Sequence, residues 1–317
     1  MLPRRLGLSG RNQHPKNSGK DMTLSICIPV YNFDVRNLVN DLHREISDKN
    51  LDSEIILIDD ACDKNFQEIN SEIQNKAAQY IVLEENVGRS KIRNLFLKYS
   101  SGESLLFLDC DAKIISKNFV EKYINIIEKE IPQVIFGGFK ENEIEGNLRS
   151  HYSKEREIKS LAERIASPYE TFRGINFVVK RDVFEEVPFE ESITGYGYED
   201  YVFAQSLKRN LIKISNIDNP VIHLDESSNE EFLQKVEAAI QTLSVLLKNK
   251  EISTSFQEMK LIKVFNFLQK TKGDRFFAKI FRKQKSRIRK KLLTGKVSLR
   301  YLDFYKLGVL VEKFQNT

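Results

Sequence analysis

From residue 24 onward, nearly unbroken apolar runs take turns with longer stretches whose apolar positions recur every three or four residues. The runs are Leu24-Ser25-Ile26-Cys27-Ile28-Pro29-Val30, Ile55-Ile56-Leu57-Ile58, Tyr80-Ile81-Val82-Leu83 and Leu105-Leu106-Phe107-Leu108. Their length and lack of alternation predict strands buried on both faces. Between the first two, Val35, Leu38, Val39, Leu42 and Ile46 fall on one helical face. Residues 66–78 and 88–99 read as helices in the same way. Strand and helix thus alternate through residues 24–111. That order predicts an α/β fold: a Rossmann-like, mostly parallel sheet flanked by helices.

After residue 111 the pattern loosens. Residues 118–130 read as a helix and 134–136 as a strand running into Gly137-Gly138. The polar segment 141–168 is helical from about 148 to 165 and is expected to lie over the sheet. Another strand is predicted at 172–179. Gly195-Tyr196-Gly197-Tyr198-Glu199-Asp200 leads into a helix over 201–210, and short strands follow at 212–214 and 221–224. From residue 229 the period is helical throughout: a stripe from Phe232 to Leu247, helices at 256–268 and 275–281, a basic run at 282–291, and an amphipathic stretch at 297–314. The expected organisation is a basic tail (1–22), a sheet-bearing domain (23–228) and a C-terminal helical appendage (229–317).

Composition adds two points. With 41% hydrophobic and 30% charged residues among 317, the chain is globular. Three scattered cysteines give neither a disulfide framework nor a zinc ribbon, so reduced thiols and a cytoplasmic location are expected. Charge is unevenly spread. Residues 1–20 carry five basic residues and no acid, and residues 272–300 carry twelve basic residues and one acid. The remainder holds 33 basic and 44 acidic residues, a net of −11. Basic ends on an acidic body suit an anionic membrane surface, here the inner face of the cytoplasmic membrane, and argue against nucleic acid as a partner.

Candidate chemistry gathers where the predicted strands end. No G-x-G-x-x-G follows the first strand and no G-x-x-x-x-G-K-[ST] occurs, which excludes the usual dinucleotide and P-loop sites. Instead Tyr31-Asn32, Asp59-Asp60, Asn86 with Arg89, and Asp109 with Asp111 each follow a strand. In a parallel sheet these share one edge, where open α/β sheets bind ligands. Asp109 and Asp111 point the same way and repel each other unless a cation sits between them. Mn²⁺ or Mg²⁺ bridging a diphosphate is the reading that uses both; solvated turn residues is the plain one. Arg89 and Arg93, one turn apart at a helix start, suit the polar groups of a nucleotide.

Four pieces in this order carry a resemblance: residues 25–32 (Ser-Ile-Cys-Ile-Pro-Val-Tyr-Asn), 58–63 (Ile-Asp-Asp-Ala-Cys-Asp), 85–94 (Glu-Asn-Val-Gly-Arg-Ser-Lys-Ile-Arg-Asn) and 106–111 (Leu-Phe-Leu-Asp-Cys-Asp). Over about residues 23–225 the chain resembles an inverting family-two glycosyltransferase of the GT-A fold. Arg173-Gly174-Ile175-Asn176 and the segment 195–200 resemble its galactosyltransferase and chondroitin-polymerase-like branch. Cys62 stands where the family usually has Ser, and Ile92-Arg93-Asn94 where it has Ala-Arg-Asn.

The resemblance implies a nucleotide-sugar donor, UDP-sugar foremost, and a glycan or lipid-linked acceptor. It puts Tyr31, Asp59 and Arg93 at the uracil and ribose, with Pro29, Asn32, Asn86, Arg89, Gly174 and Asn176 in the donor site. Asp109 touches ribose or metal, while Asp111 and His223 ligate Mn²⁺ or Mg²⁺. Asp200 is the general base and Glu199 holds the acceptor. Two other readings compete: a sugar nucleotidyltransferase, which would want a glycine-rich basic loop after the first strand, and a non-catalytic polyanion- or membrane-binding protein whose basic end is the working part.

Overall fold

The computed structural model describes residues 24–315, so the predicted tail at 1–22 lies outside the described residues. The first half runs β1 (Leu24–Val30), α1 (Arg36–Lys49), β2 (Ser53–Asp59), α2 (Lys64–Ser71), β3 (Gln79–Val82), α3 (Arg89–Tyr99) and β4 (Ser104–Leu108). Next come β5 (Ala112–Lys113), α4 (Phe119–Glu130), β6 (Val134–Phe136), β7 (Phe139–Glu141), α5 (Leu148–Tyr152), α6 (Leu161–Ala166), α7 (Pro168–Thr171), β8 (Asn176–Lys180), α8 (Arg181–Glu186), α9 (Glu199–Arg209), β9 (Ile214–Asn216) and β10 (Val221–His223). The chain closes with α10 (Asn229–Leu246), α11 (Lys250–Ser253), α12 (Lys260–Lys270), α13 (Asp274–Leu293) and α14 (Leu299–Gln315).

Among the described residues the main sheet has seven strands in the order β3-β2-β1-β4-β8-β6-β9. β1 lies between β2 and β4, parallel to both. Leu24, Ile26, Cys27, Ile28 and Val30 are buried, which is why this strand is apolar on both faces. The mixed α/β class and the helical C-terminal part agree with the sequence. The parallel run ends at β8, which is antiparallel to both β4 and β6. This reversal positions the site: the lead-in to β8 reaches the edge where β4 ends, and the Asp109 amide donates to Ile175 O at 3.1 Å. A small second sheet, β5-β10-β7, sets His223 opposite Ala112 and Glu141.

Behind that edge, aromatic rings fill the core. Phe107 of β4 stacks on Phe177 of β8 at 5.0 Å between centroids, and Phe189 stacks on Phe203 of α9 at 4.3 Å. Such close-packed rings fix β4, β8 and α9 relative to one another. A second apolar cluster is built from α10 to α14 and includes Leu148, Ile193 and Val202 from the sheet-bearing half. α10 opens on a capping box, in which Ser228 Oγ accepts from Glu231 N at 3.2 Å and Glu231 Oε2 accepts from Ser228 N at 2.8 Å.

Some elements depart from the sequence pattern. The helix expected at 66–78 ends at Ser71 and is followed by a 3₁₀ turn at Gln74–Lys76. The buried Asn70 side chain ties this end to the loop after β1, accepting from Val35 N at 3.1 Å and donating to Phe33 O at 2.9 Å. The strand expected at 172–179 enters the ladder only at Asn176. The basic run 282–291 is helical within α13, whose Ala278, Phe281, Ile288 and Leu292 face the core. α14 is not amphipathic along its length. From Tyr305 to Val311 it is surrounded by α10, α12 and α13, so nearly all of its side chains there are buried. Gly308 permits this, since a Cβ there would lie 2.2 Å from the Phe281 ring.

Candidate active site

β4 hands the chain to Asp109, Cys110 and Asp111 at the carboxyl edge of the sheet. Asp109 Oδ1 accepts from Arg93 Nη2 at 2.7 Å. Arg93 is itself buried, with its guanidinium 5.4 Å from the Phe189 ring centroid and Nη1 donating to Arg89 O at 3.0 Å. Gly174 lies between this pair and α9: a Cβ there would sit 3.5 Å from the Asp200 Cβ and 3.7 Å from Arg93 Nη2. Two residues in the left-handed region, Gly197 (φ +89°) and Tyr198 (φ +73°), turn the chain into α9. That turn puts Glu199 and Asp200 in the first helical turn, where the helix dipole favours carboxylates. Glu199 is buried; its Oε1 accepts from Arg89 Nη1 at 3.2 Å and its Oε2 has no hydrogen-bond partner.

The four carboxylates sit in different fields. Burial raises the Asp200 pKa and the charge of Glu199 adds to it, to about 6. Burial also opposes ionisation of Glu199, but Arg89 and Arg93 outweigh it and hold its pKa below the usual range. Asp109 is raised by burial, against the opposing charge of Arg93. For Asp111 burial is overcome by the hydrogen bond from His223, and its pKa falls. His223 lies 3.1 Å from Asp111 through Nε2 and 3.1 Å from Glu141 through Nδ1. Burial alone would lower its pKa, but these two carboxylates raise it to about 10, so at neutral pH the ring is an imidazolium donating to both. Neighbouring carboxylates pushed apart in this way are the arrangement that acid–base chemistry uses.

A cavity of about 760 Å³ opens from this edge toward α10, α12 and α14. Of the residues singled out from sequence, it brings together Arg89, Arg93, Asp109, Asp111, Gly174, Glu199, Asp200 and His223. Pro29, Tyr31, Asn32, Asp59, Asn86 and Asn176 are not in its lining. Tyr31 and Asn86 are exposed beyond the ends of β1 and β3. Asn32 (φ +46°) knits two loops, donating through Nδ2 to Asp63 Oδ2 at 3.2 Å and accepting from Asp63 N at 2.7 Å. Pro29 is within β1, opposite Ile58.

Two of the residues expected in the donor site are fully buried. Asn176 is fully buried: its Nδ2 donates to Gly138 O and Asn219 O, each at 2.9 Å, and its Oδ1 accepts from Tyr123 Oη at 2.7 Å. Asp59 is fully buried too, its oxygens accepting from Cys62 N at 2.7 Å and Tyr80 Oη at 3.0 Å. Asp59 is the last residue of β2 and Asn176 the first of β8, and both tie neighbouring segments together through these hydrogen bonds. Asp60 does similar work for the loop before α3, accepting from Val87 N at 2.7 Å and Gly88 N at 3.2 Å.

Other cavity residues escaped the sequence reading. Arg149 is nearly buried and bridges Glu141 (3.1 Å), Glu157 and Asp225 (3.0 Å). Its partners come from three separate segments, so no local pattern marks it. Asp225 also pairs with Lys235 of α10 at 3.2 Å, which joins the His223 strand to the helical half. Tyr196 lies beneath the Arg89 guanidinium at 4.8 Å. The repeated Gly-Tyr of 195–198 was the signal available for it.

A divalent cation fits this chain at Asp111. Its Oδ1 is buried without a hydrogen-bond partner, and Asp109 and His223 flank it. Among the described residues no three His, Cys, Asp or Glu side chains form a ready metal cluster. Mg²⁺-type ions can bind through one or two carboxylates completed by substrate phosphates and water. The residues that would hold the ion are Asp111 and Asp109, with His223 after loss of a ring proton.

No curated protein matches the sequence. Solved structures do match by shape. The mannosyltransferase PcManGT from Pyrobaculum calidifontis, in complex with GDP-Man and Mn²⁺, superposes with a TM-score of 0.55 at 12% identity, over 98% of this chain and 92% of that one. TarS from S. aureus gives 0.52 at 19% identity over 90% of this chain, which spans only 55% of the TarS chain. TarS 1–349 in complex with UDP-GlcNAc gives 0.50 at 20% identity, over 93% and 92%. At such identities the likeness is one of fold. The sequence match is of another kind: residues 25–187, more than half of the chain, match the model of Glycosyl transferase family 2, and the protein belongs to that family.

Proposed function

We propose that this protein is a metal-dependent, inverting glycosyltransferase of the galactosyltransferase and chondroitin-polymerase-like branch. It moves a sugar from a nucleotide-diphosphate donor, foremost a UDP-sugar, to a glycan or lipid-linked acceptor. One observation carries the reading: a single cavity is lined both by the Asp109/Asp111 pair and by Asp200, whose pKa is raised to about 6. Arg93 orients Asp109 through a buried ion pair, and Arg89 stands at the start of α3 within reach of a diphosphate. Asp200 takes the proton from the acceptor hydroxyl at its carboxylate, and the freed oxygen attacks the anomeric carbon from the face opposite the nucleotide. A single displacement inverts the configuration. The bound divalent ion supplies charge stabilisation for the departing diphosphate. The neighbours solved with GDP-Man and Mn²⁺ and with UDP-GlcNAc lend this reading support through the shared fold.

The test is nucleotide release from a panel of UDP-, GDP- and dTDP-sugars, with Mn²⁺, with EDTA, and with Asp111→Ala. Release from one donor that needs the metal and is lost at least a hundredfold in the variant is the expected outcome. A thermal-shift arm covers an obligatory acceptor: UDP with Mn²⁺ should raise the melting temperature of the wild type and not of Asp111→Ala. Neither release nor a shift with any nucleotide overturns the proposal in favour of a non-catalytic binding protein.

A further inference from the structure

The α12–α13 hairpin carries a surface that the proposed chemistry does not use. Apolar side chains stand in solvent along it: Val264 is 48% exposed, Phe267 64%, Phe276 71% and Ile280 38%. Within α12, Lys260, Val264 and Phe267 fall at i, i+4 and i+7, on one face, while Ile262 and Phe265 point into the core. Within α13, Phe276, Ile280, Lys283 and Arg287 follow the same rule, opposite the buried Ala278, Phe281, Ile288 and Leu292. Phe267 and Phe276 each lie within one turn of the connection formed by Thr271, Lys272 and Gly273. The two most exposed phenylalanines among the described residues therefore flank the tip of a helical hairpin.

Charge says what the tip faces. Residues 260–291 hold thirteen basic residues and one acid. Some are spent within the protein: Lys263 pairs with Glu258, Lys285 with Glu312 and Arg289 with Glu230. Lys270, Lys272, Arg275, Lys279, Arg282 and Lys283 make no ion pair among the described residues. Exposed aromatic and aliphatic side chains edged by long, unpaired cations fit the boundary between lipid headgroups and acyl chains, where the rings sit in the apolar layer and the cations reach anionic headgroups. No helix of the described residues is long and apolar enough to cross a membrane, so the fit is to a surface.

We propose that the α12–α13 hairpin docks the protein on an anionic bilayer. Lys260 and Val264, on the face that carries Phe267, also line the cavity. Docking through that face brings this wall of the cavity next to the lipid; on the proposed function, an acceptor held by a lipid tail would be met there.

Vesicle flotation tests this with the full chain. Vesicles of phosphatidylcholine alone are compared with vesicles that also contain phosphatidylglycerol, at low and high salt. The protein is expected on the anionic vesicles, with binding weakened by salt. Phe267→Ser together with Phe276→Ser should weaken partition by roughly a hundredfold, about tenfold for each ring withdrawn from the apolar layer. Lys270→Glu with Lys279→Glu should weaken it as well and flatten the salt dependence; that pair decides the matter if the phenylalanine variant does not fold. Indifference to every vesicle overturns the proposal, as does wild-type flotation of both variants. So does a stable dimer that the phenylalanine changes dissolve while wild-type protein ignores vesicles, since a second copy of the chain would then be the occupant. The thermal shift with UDP and Mn²⁺ is read on the same samples, so a failure of docking is distinguishable from a failure of the enzymatic reading.

Discussion

Asp200 is held where its ionised form is uncomfortable. Its pKa, near 6, lies above the ordinary aspartate range because it is partly buried beside the charge of Glu199. A base in this state is active when deprotonated, so transfer should fall as pH drops through 6, by about tenfold per unit below it. Asp200→Asn should lower kcat by 10²- to 10⁴-fold, roughly the range for a lost general base, with little change in nucleotide affinity. The stability effect has its own sign. With a folded pKa above the unfolded one, the contribution of Asp200 is favourable at low pH and is lost as pH rises through 6. Asp200→Asn should therefore raise the melting temperature at pH 7, by up to about 2 kcal/mol of stability, and give no gain near pH 4. An equal gain at both pH values would sink the explanation.

At the scale of elements, the carboxyl edge of the sheet was readable from sequence because Asp109, Asp111, Glu199 and Asp200 stand just beyond a strand or at the first turn of a helix. There, chain order alone determines which way they lead. At the terminal residue of a strand that guide fails. Asn176 follows Gly174 by two residues, yet as the first residue of β8 it lies opposite Leu108 of β4 and is fully buried. It ties Tyr123 of α4 to the carbonyls of Gly138 and Asn219. Asn176→Ala should therefore cost about 3 kcal/mol of stability by leaving buried partners unpaired, while UDP affinity in the protein still folded stays near wild type. A tenfold loss of affinity at unchanged stability would instead place it in the donor site. Arg149 was not legible for a further reason. Its meaning depends on Glu141, Glu157 and Asp225 arriving from β7, a π-helical turn and the end of β10, and local periodicity says nothing of such meetings. The reversal at β8 was hidden in the same way, because an antiparallel strand buried on both faces reads like a parallel one.

The molecule as a whole divides its labour between two apolar cores. The sheet-bearing core presents the edge with Arg89, Arg93 and the paired aspartates, while the helical core supplies α10, α12 and α14 as the far wall of the cavity. The continuous apolar runs foretold the first core, and the stripe from Phe232 to Leu247 foretold the start of the second. How the helices close over the sheet was not foretold, since α14 reads as a surface helix and lies at the centre of its bundle. A ligand that binds across this junction stabilises both halves. At a hundred times its dissociation constant it adds about 2.7 kcal/mol, enough to read as a clear thermal shift.

One contact at the junction bears on timing. Arg89 reaches from α3 to Glu199 at the start of α9, and its side chain is half exposed. A diphosphate arriving beside Asp109 would compete with Glu199 for that guanidinium. Glu199, robbed of its partner, would press harder on the neighbouring Asp200 and make it a stronger base. Under the proposed function, the entry of one substrate would thus arm the group that acts on the other, and the acceptor would be activated only once the nucleotide sugar is in place. The pH profile of transfer would read this directly: its acidic limb should lie higher with nucleotide bound than in the free protein, and the difference should vanish once Arg89→Ala has cut the link.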